Sequence, residues 1–425
     1  MLRSMELSGV GPAPKMGISF AERLNVVTGD NSLGKTFLLD VAWWALTRTW
    51  AGIPALPLGR HRASITYVIR GKKQDAAAVQ STFRADRQEW PGEAKRPAIP
   101  GVVVYARIDG GFSVWDPSRN YWRKDTPERP AAYHFDHGQI WSGLEVGGVQ
   151  VCEGLERDWV SWQKGKEPQF ASLVGALERL SPPELPLRPG SPRRVFLGEG
   201  YDRPTLRLGD EAVPIVLAPA GIRRVLALAY LLVWAWHEHR ATATLLGKAP
   251  ETRITLLIDE PETHLHPRWQ RCIIPALMET LETLGGGSAG AIQVLVATHS
   301  PMVLASLEPI FQEEHDALFH LALVDRRVVL RQEAWAKQGD ATNWLVSEVF
   351  GLEQARSAQA EHAIEAAEAL MRGDMAALPA GLKTKSQIDA TLRKLLPAHD
   401  DFWPRWIVTT GSAGVRTTHR RGEPR

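Results

Sequence analysis

Gly29-Asp30-Asn31-Ser32-Leu33-Gly34-Lys35-Thr36 is a short run with glycines at its first and sixth positions and Lys-Thr at its end. Glycine adopts backbone conformations closed to other residues, so such a loop can turn its N–H groups inward and close around phosphates at the positive end of the next helix. Lys35 is then expected to reach the β- and γ-phosphates, and Thr36 to offer its hydroxyl to Mg²⁺. Gly29, Asn31, Ser32, Gly34 and Phe37 complete the expected contacts to a nucleotide. The flanks agree with this reading. Leu24 to Val27 has the composition of a short buried strand, and Phe37 to Leu46 is apolar nearly all round, as a helix covered on both sides would be. A chance Gly-x4-Gly-Lys-Thr is the alternative, and it gives no reason for a strand before and a helix after.

Two further segments point to the same chemistry. Leu256-Leu257-Ile258-Asp259-Glu260-Pro261-Glu262-Thr263-His264-Leu265-His266-Pro267 is an apolar strand that ends in adjacent acids. Asp259 is placed to hold Mg²⁺, usually through water, and Glu260 to polarise a water for attack on the γ-phosphate. A solvated acidic turn is the plain alternative for that segment on its own. A third apolar run, Ile292 to Val296, leads into Ala297-Thr298-His299-Ser300-Pro301. That puts His299 at a strand's carboxyl end, where open α/β sheets bind ligands, and the expected role is a γ-phosphate sensor rather than a structural histidine.

With these three motifs the chain resembles the ABC-type ATPase heads, the group that includes the chromosome-maintenance, recombination and overcoming-lysogenization-defect ATPases. The resemblance covers about residues 1 to 307. It implies an α/β fold, an ABC-type P-loop head with a mostly parallel core sheet and an antiparallel β subdomain, and it implies ATP and Mg²⁺ as cofactors. In that family a glutamine after a strand contacts Mg²⁺ and the attacking water, and Gln139 in His134-Phe135-Asp136-His137-Gly138-Gln139 is the match. His264-Leu265-His266 would be the loop that meets an opposite subunit; two histidines at that spacing are also a metal-binding pattern, but no cysteine or third histidine stands nearby. The family's signature loop, which opens a long helix and faces the partner's nucleotide, is matched by Ala218-Pro219-Ala220-Gly221-Ile222-Arg223-Arg224, with Ala220 and Gly221 as the contacts. Here the chain departs from the pattern. Pro219 stands where the family has a serine hydroxyl, which leaves the helix dipole and the Gly221 N–H to face phosphate.

Composition excludes several classes. A formal net charge of +2 over 425 residues argues against a strongly electrostatic nucleic-acid binder, and two cysteines make no disulfide framework, so a reducing cytoplasm is expected. The longest apolar run, Val225 to Trp236, is too short to span a bilayer and is bounded by Arg223-Arg224 and His237-Glu238-His239-Arg240, so no membrane association is expected.

Between the phosphate loop and the signature segment no apolar heptads persist. Arg62–Arg70 with Ala78–Arg84, and Gly101–Ile108 with Gly111–Trp115, read as antiparallel hairpins, while Glu156 to Leu180 reads as helix. Trp90–Gly101 and Ser181–Arg194 read as surface loops. The expected organisation is a head over 1–350 with a β-rich and helical insert at about 51–215, a C-terminal helical region over 351–408, and a disordered tail over 409–425. Ser357–Arg372 and Ser386–Leu396 read as helices, the second with Ile388, Leu392, Leu395 and Leu396 along one face that either closes against the head or docks a partner. No Toprim-type nuclease pattern follows the head, and His399-Asp400-Asp401 reads as a solvated turn. This layout resembles the ATPase subunit of Septu-type and retron-linked antiphage systems, in which a separate HNH nuclease is the partner. That resemblance implies a homodimer or larger homo-oligomer regulating a partner nuclease, with nucleic acid reached through the complex. A DNA repair or recombination ATPase, and an ATP-gated scaffold with little turnover, are the alternatives.

Overall fold

The computed structural model describes residues 1–59, 62–71, 77–92, 98–120, 130–209, 211–286 and 292–411. The chain divides into two compact units, Met1–Trp344 and Leu345–Arg425.

The first unit opens with strands β1 (Leu2–Ser8), β2 (Lys15–Ser19) and β3 (Leu24–Gly29), helix α1 (Lys35–Thr47), and strands β4 (Ser64–Ile69), β5 (Val79–Thr82), β6 (Val102–Ala106), β7 (Phe112–Trp115) and β8 (Tyr133–Phe135). It continues with α2 (His137–Ser142), the hairpin β9 (Leu144–Val146) and β10 (Val149–Cys152), α3 (Leu155–Gly165), α4 (Pro168–Leu180), and β11 (Arg188–Pro189), β12 (Thr205–Leu208) and β13 (Glu211–Pro214). The 26-residue α5 (Ala220–Leu245) leads to β14 (Ile254–Asp259), α6 (Pro267–Gln270), α7 (Ile273–Leu284), β15 (Ile292–Ala297), α8 (Pro301–Leu307), β16 (Asp316–Val324), β17 (Arg327–Glu333) and α9 (Ala341–Leu345).

The central sheet has the order β17-β16-β3-β15-β14-β6-β7-β8, and five of its six inner strands, β16, β3, β15, β14 and β6, run parallel. Parallel strands covered on both faces are largely apolar, and every residue of β3, β14, β15 and β6 is buried. The register decides where the chemistry lies. Asp259 pairs with Ala297, Ala297 with Val27, and Ile258 with Ala106, so the ends of β3, β14, β15 and β6 form one edge. Helix α1 packs beneath that edge with Trp43, Trp44, Val41 and Leu46 buried. A second sheet, β2-β1-β4-β5, is antiparallel and closes the other side of the α1 core.

The mid-chain hairpins fall where their alternation places them, but two details differ from the sequence reading. The helical stretch after Glu156 is two helices, because Lys166 takes a left-handed conformation (φ 54°) and Pro168 starts a new first turn. Ser181–Arg194 is not wholly a surface loop: Arg188–Pro189 pairs with β12, and Leu187 is buried.

The second unit contains α10 (Ala358–Arg372), α11 (Lys385–Leu395) and α12 (Phe402–Gly411). Ile388 and Leu392 are fully buried against Ala363, Ile364, Ala367 and Trp406 of the same unit. The apolar face expected to dock a partner or close against the head is therefore the inside of this unit's own core. Asp400 also departs from a solvated turn. Its carboxylate pairs with Arg356 at 2.7 Å and accepts from the Phe402 N–H, starting α12. Helix α12 continues to Gly411, past the expected start of the tail, and 412–425 lie outside the described residues. Among the described residues no helix is long and apolar enough to cross a membrane.

Candidate functional site

The sharp turn from β3 to α1 rests on Gly34. Its φ is 101°, and a Cβ there would lie 2.6 Å from Pro12 Cγ, so no side chain fits. The loop tip Asp30-Asn31-Ser32 is exposed, whereas Lys35 is buried and donates from Nζ to the Gly29 and Asp30 carbonyls at 2.9 and 3.1 Å. Phe37 lies against Gly11 of the β1–β2 connection, one turn along the same helix.

One residue on, Thr36 Oγ1 donates to Asp259 Oδ2 at 2.6 Å, joining the phosphate loop to the end of β14. Asp259 is fully buried, and its Oδ1 has no hydrogen-bond partner. Burial pushes the Asp259 carboxyl up to about 6 against the pull of the Thr36 hydroxyl, and the neighbouring Glu260 charge adds to the rise. A buried carboxylate oxygen without a partner beside a threonine hydroxyl is a donor set suited to Mg²⁺, which takes oxygen ligands and keeps several waters. Among the described residues no group of three or more His, Cys, Asp and Glu side chains stands close enough together to hold a metal ion.

Glu260 and His299 meet across adjacent strands. His299 Nδ1 is 3.1 Å from Glu260 Oε1, and the Glu260 N–H donates to the Ala297 carbonyl. Glu260 holds a left-handed backbone (φ 47°), uncommon for a side chain of its size, which turns the chain sharply at the end of β14. Glu262 fixes the histidine segment: its Oε1 accepts from Thr298 Oγ1 at 2.7 Å and from the His299 N–H at 3.0 Å. Ser300 Oγ donates to Gln270 Oε1 and caps α8 through the Val303 N–H. The sequence reading passed over Glu262, although its place two residues after Glu260 in an Asp-Glu-Pro-Glu turn was a signal.

Three more groups stand at this edge to which the sequence reading gave no role of their own. Tyr105 Oη, from the parallel neighbour β6, donates to Asp40 Oδ1 of α1 at 3.1 Å, and burial pushes the Asp40 carboxyl up to about 6. Arg224 Nη2 donates to the main-chain carbonyls of Asp259 and Glu260, both at 3.2 Å, tying the first turn of α5 to the acidic turn.

Gln139 is not brought to Thr36 and Asp259 by any hydrogen bond. Its Oε1 accepts from the Asp136 N–H at 2.9 Å while Asp136 Oδ1 accepts from the Gln139 N–H. Asp-x-x-Gln at a helix start is a capping box, and that local pairing claims the side chain expected to contact Mg²⁺. Ala220 and Gly221 stand at the start of α5 beside His264 rather than at the chain's own phosphate loop. Gly221 packs so tightly that a Cβ would lie 2.7 Å from the His264 carbonyl oxygen.

Residues 206–305, which run through α5, β14 and β15, match the family described as an AAA domain, putative AbiEii toxin, Type IV TA system. The first unit is an α/β fold built on an eight-stranded sheet whose strands β16, β3, β15, β14 and β6 run parallel. The matched segment holds the acidic turn at Asp259 and Glu260 and the histidine His299 but not the loop Gly29–Thr36. A 53-residue segment is 43% identical to the Retron Ec83 probable ATPase of Escherichia coli, and that match spans 12% of this chain and 8% of the relative. Among solved structures, the SMC head domain from Thermotoga maritima is 13% identical with a TM-score of 0.39, covering 79% of this chain and 99% of that one. The SMC head bound to the C-winged helix domain of ScpA gives 14%, a TM-score of 0.44, and 79% and 98% coverage. The recombination mediator protein RecF gives 11%, 0.37, and 78% and 98%.

Proposed function

We propose that this chain binds ATP with Mg²⁺ at Gly29–Thr36 and hydrolyses it with Glu260 as the base. The observation that carries the reading is the joining of three separate segments at one sheet edge: Thr36 on Asp259 at 2.6 Å, and Glu260 beside His299 at 3.1 Å. Lys35, held over the loop's own carbonyls, binds the β- and γ-phosphates, and the loop N–H groups with the α1 N-terminus hold the remaining oxygens. Mg²⁺ held by Thr36 and Asp259 would supply charge neutralisation on the phosphates. Glu260 takes the proton of the attacking water, and His299, oriented by Glu262, positions Glu260 and senses the terminal phosphate. Gln139 is left out of this scheme.

The wider role we infer is control of a partner nuclease in antiphage defence, by a homodimer or larger homo-oligomer. It is supported by the short match to the retron ATPase and by the layout of an ATPase head followed by a small helical unit. ATP occupancy would act as a switch only through different affinity of the partner for the two head states. Pro219 favours a second reading, a scaffold that binds ATP with little turnover, because the exposed start of α5 has no side-chain hydroxyl. Turnover assays of the purified chain with and without Mg²⁺ separate the two, and co-expression with the neighbouring gene product tests the partner. Mg²⁺-dependent hydrolysis and a stable complex with an HNH nuclease are expected. DNA cleavage by this chain alone, or hydrolysis stimulated by DNA without any partner, would contradict the regulatory role.

A further inference from the structure

Strands β11 and β12 set arginine against arginine. Arg188 lies directly opposite Arg207 in the ladder, and where the two chains continue past it Arg193 bridges to Arg203. Side chains directly opposite in an antiparallel pair stand about 5 Å apart at Cβ, and like charges there repel. Arg203 is compensated, donating to Glu199 at 2.7 Å and to Glu156 at 2.6 Å. Arg188, Arg193 and Arg207 are exposed, and among the described residues no carboxylate pairs with any of them. Residues 188–207 hold five arginines against one glutamate and one aspartate, a local excess larger than the net +2 of the whole chain. The same connection exposes aromatic surface. Phe196 and Tyr201 are both exposed, and the Arg203 guanidinium stands 5.3 Å from the first ring and 5.2 Å from the second. The backbone between them is tied down as well: Arg194 Nη1 donates to the Glu199 carbonyl at 2.6 Å, and the Glu199 N–H donates to the Phe196 carbonyl at 3.2 Å.

Uncompensated exposed arginines beside exposed rings that are already held in place match a single nucleic-acid strand, whose phosphates take the cations and whose unpaired bases stack on the rings. A duplex keeps its bases stacked on one another and offers the rings no free face. We infer that the β11–β12 hairpin and its connection bind single-stranded nucleic acid, with Arg188, Arg193 and Arg207 on phosphates and Phe196 and Tyr201 under bases. This surface shares no residue with Gly29–Thr36, so the inference stands apart from the ATP-binding reading. It also gives this chain a direct contact to nucleic acid, where the wider role above reaches it through a partner.

Fluorescence anisotropy of a labelled oligothymidylate, longer than a site of about 4–16 nucleotides, tests this on the full-length chain without ATP. Saturable binding is expected, with log K falling against log salt at a slope of about −2, the value for three phosphate contacts on a single strand. Arg188→Ala, Arg193→Ala and Arg207→Ala together should weaken binding at least about tenfold at about 50 mM salt and flatten that slope, while lysine at the same three positions keeps the slope. Phe196→Ala with Tyr201→Ala should weaken binding about fivefold or more and leave the slope unchanged, because stacking on a ring releases no counterions. No binding of the oligothymidylate, or binding that both alanine variants retain, would overturn the inference. A duplex of the same length bound as tightly, with the ring substitutions without effect, would assign the surface to duplex backbone instead. Polyglutamate bound through the three arginines in place of the oligonucleotide would assign it to an acidic protein partner.

Discussion

Replacing Asp259 by asparagine is expected to stabilise the nucleotide-free protein while removing its activity. Asp259 is fully buried with one oxygen unpartnered, and its carboxyl is pushed from an ordinary 3.8 up to about 6. Two pH units correspond to about 3 kcal/mol of cost for carrying the ionised form in the folded state. For an acid raised in this way the sign is fixed. Below the unfolded value both states are protonated and nothing is lost, the cost grows as pH rises from about 4 to about 6, and above that it is complete. Asparagine removes the charge and still accepts the Thr36 hydroxyl through Oδ1, but it sets an unpaired amide where Oδ1 was already unpaired, at a cost of about 1–2 kcal/mol. The variant should therefore exceed the parent by about 1–2 kcal/mol at pH 8 and fall below it near pH 4. Urea midpoints of both proteins in EDTA, taken at the two pH values, measure the crossover. A variant less stable than the parent by the same margin at pH 4 and pH 8 would refute the idea that an uncompensated buried charge is stored here for the metal.

Glu260→Gln should bind ATP as the parent does and lose turnover by at least about a hundredfold, since an amide accepts no proton from the attacking water; steady-state phosphate release beside calorimetry reads both. Leu392→Ala should destabilise the C-terminal unit by about 2–5 kcal/mol, as a core truncation does, and expose it to limited proteolysis within residues 345–411. Cys152 is buried and its thiol is pushed up to about 12, so alkylation under native conditions should modify Cys272 and reach Cys152 only after unfolding, as peptide mass analysis will show.

The parallel core could be read from the sequence because buried strands are continuous apolar runs, and Leu24–Val27, Ile254–Ile258 and Ile292–Val296 each end in a chemically distinctive residue. Asn31, Ser32, Lys35, Thr36, Asp259, Glu260 and His299 all stand at one edge for the same reason: register brings the carboxyl ends of β3, β14 and β15 together. Gln139 was less readable, because Asp136-His137-Gly138-Gln139 spells a capping box as well as a ligand after a strand, and the local pairing took the side chain. Tyr105, Asp40 and Arg224 were hidden because their roles arise from contacts between segments that have no fixed spacing in the chain. The face of α11 showed its period but not its partner. Periodicity marks a buried stripe and leaves open what covers it, here Trp406 and the alanines of α10.

The central claim is that Lys35 and the loop around it hold ATP, and calorimetric titration of Mg²⁺-ATP into the parent and Lys35→Ala tests it most directly. The expected result is saturable binding by the parent and none detectable in the variant, with both folded by circular dichroism, because removing the buried cation leaves the phosphates without their charge partner. Equal affinity in the two proteins would contradict the assignment.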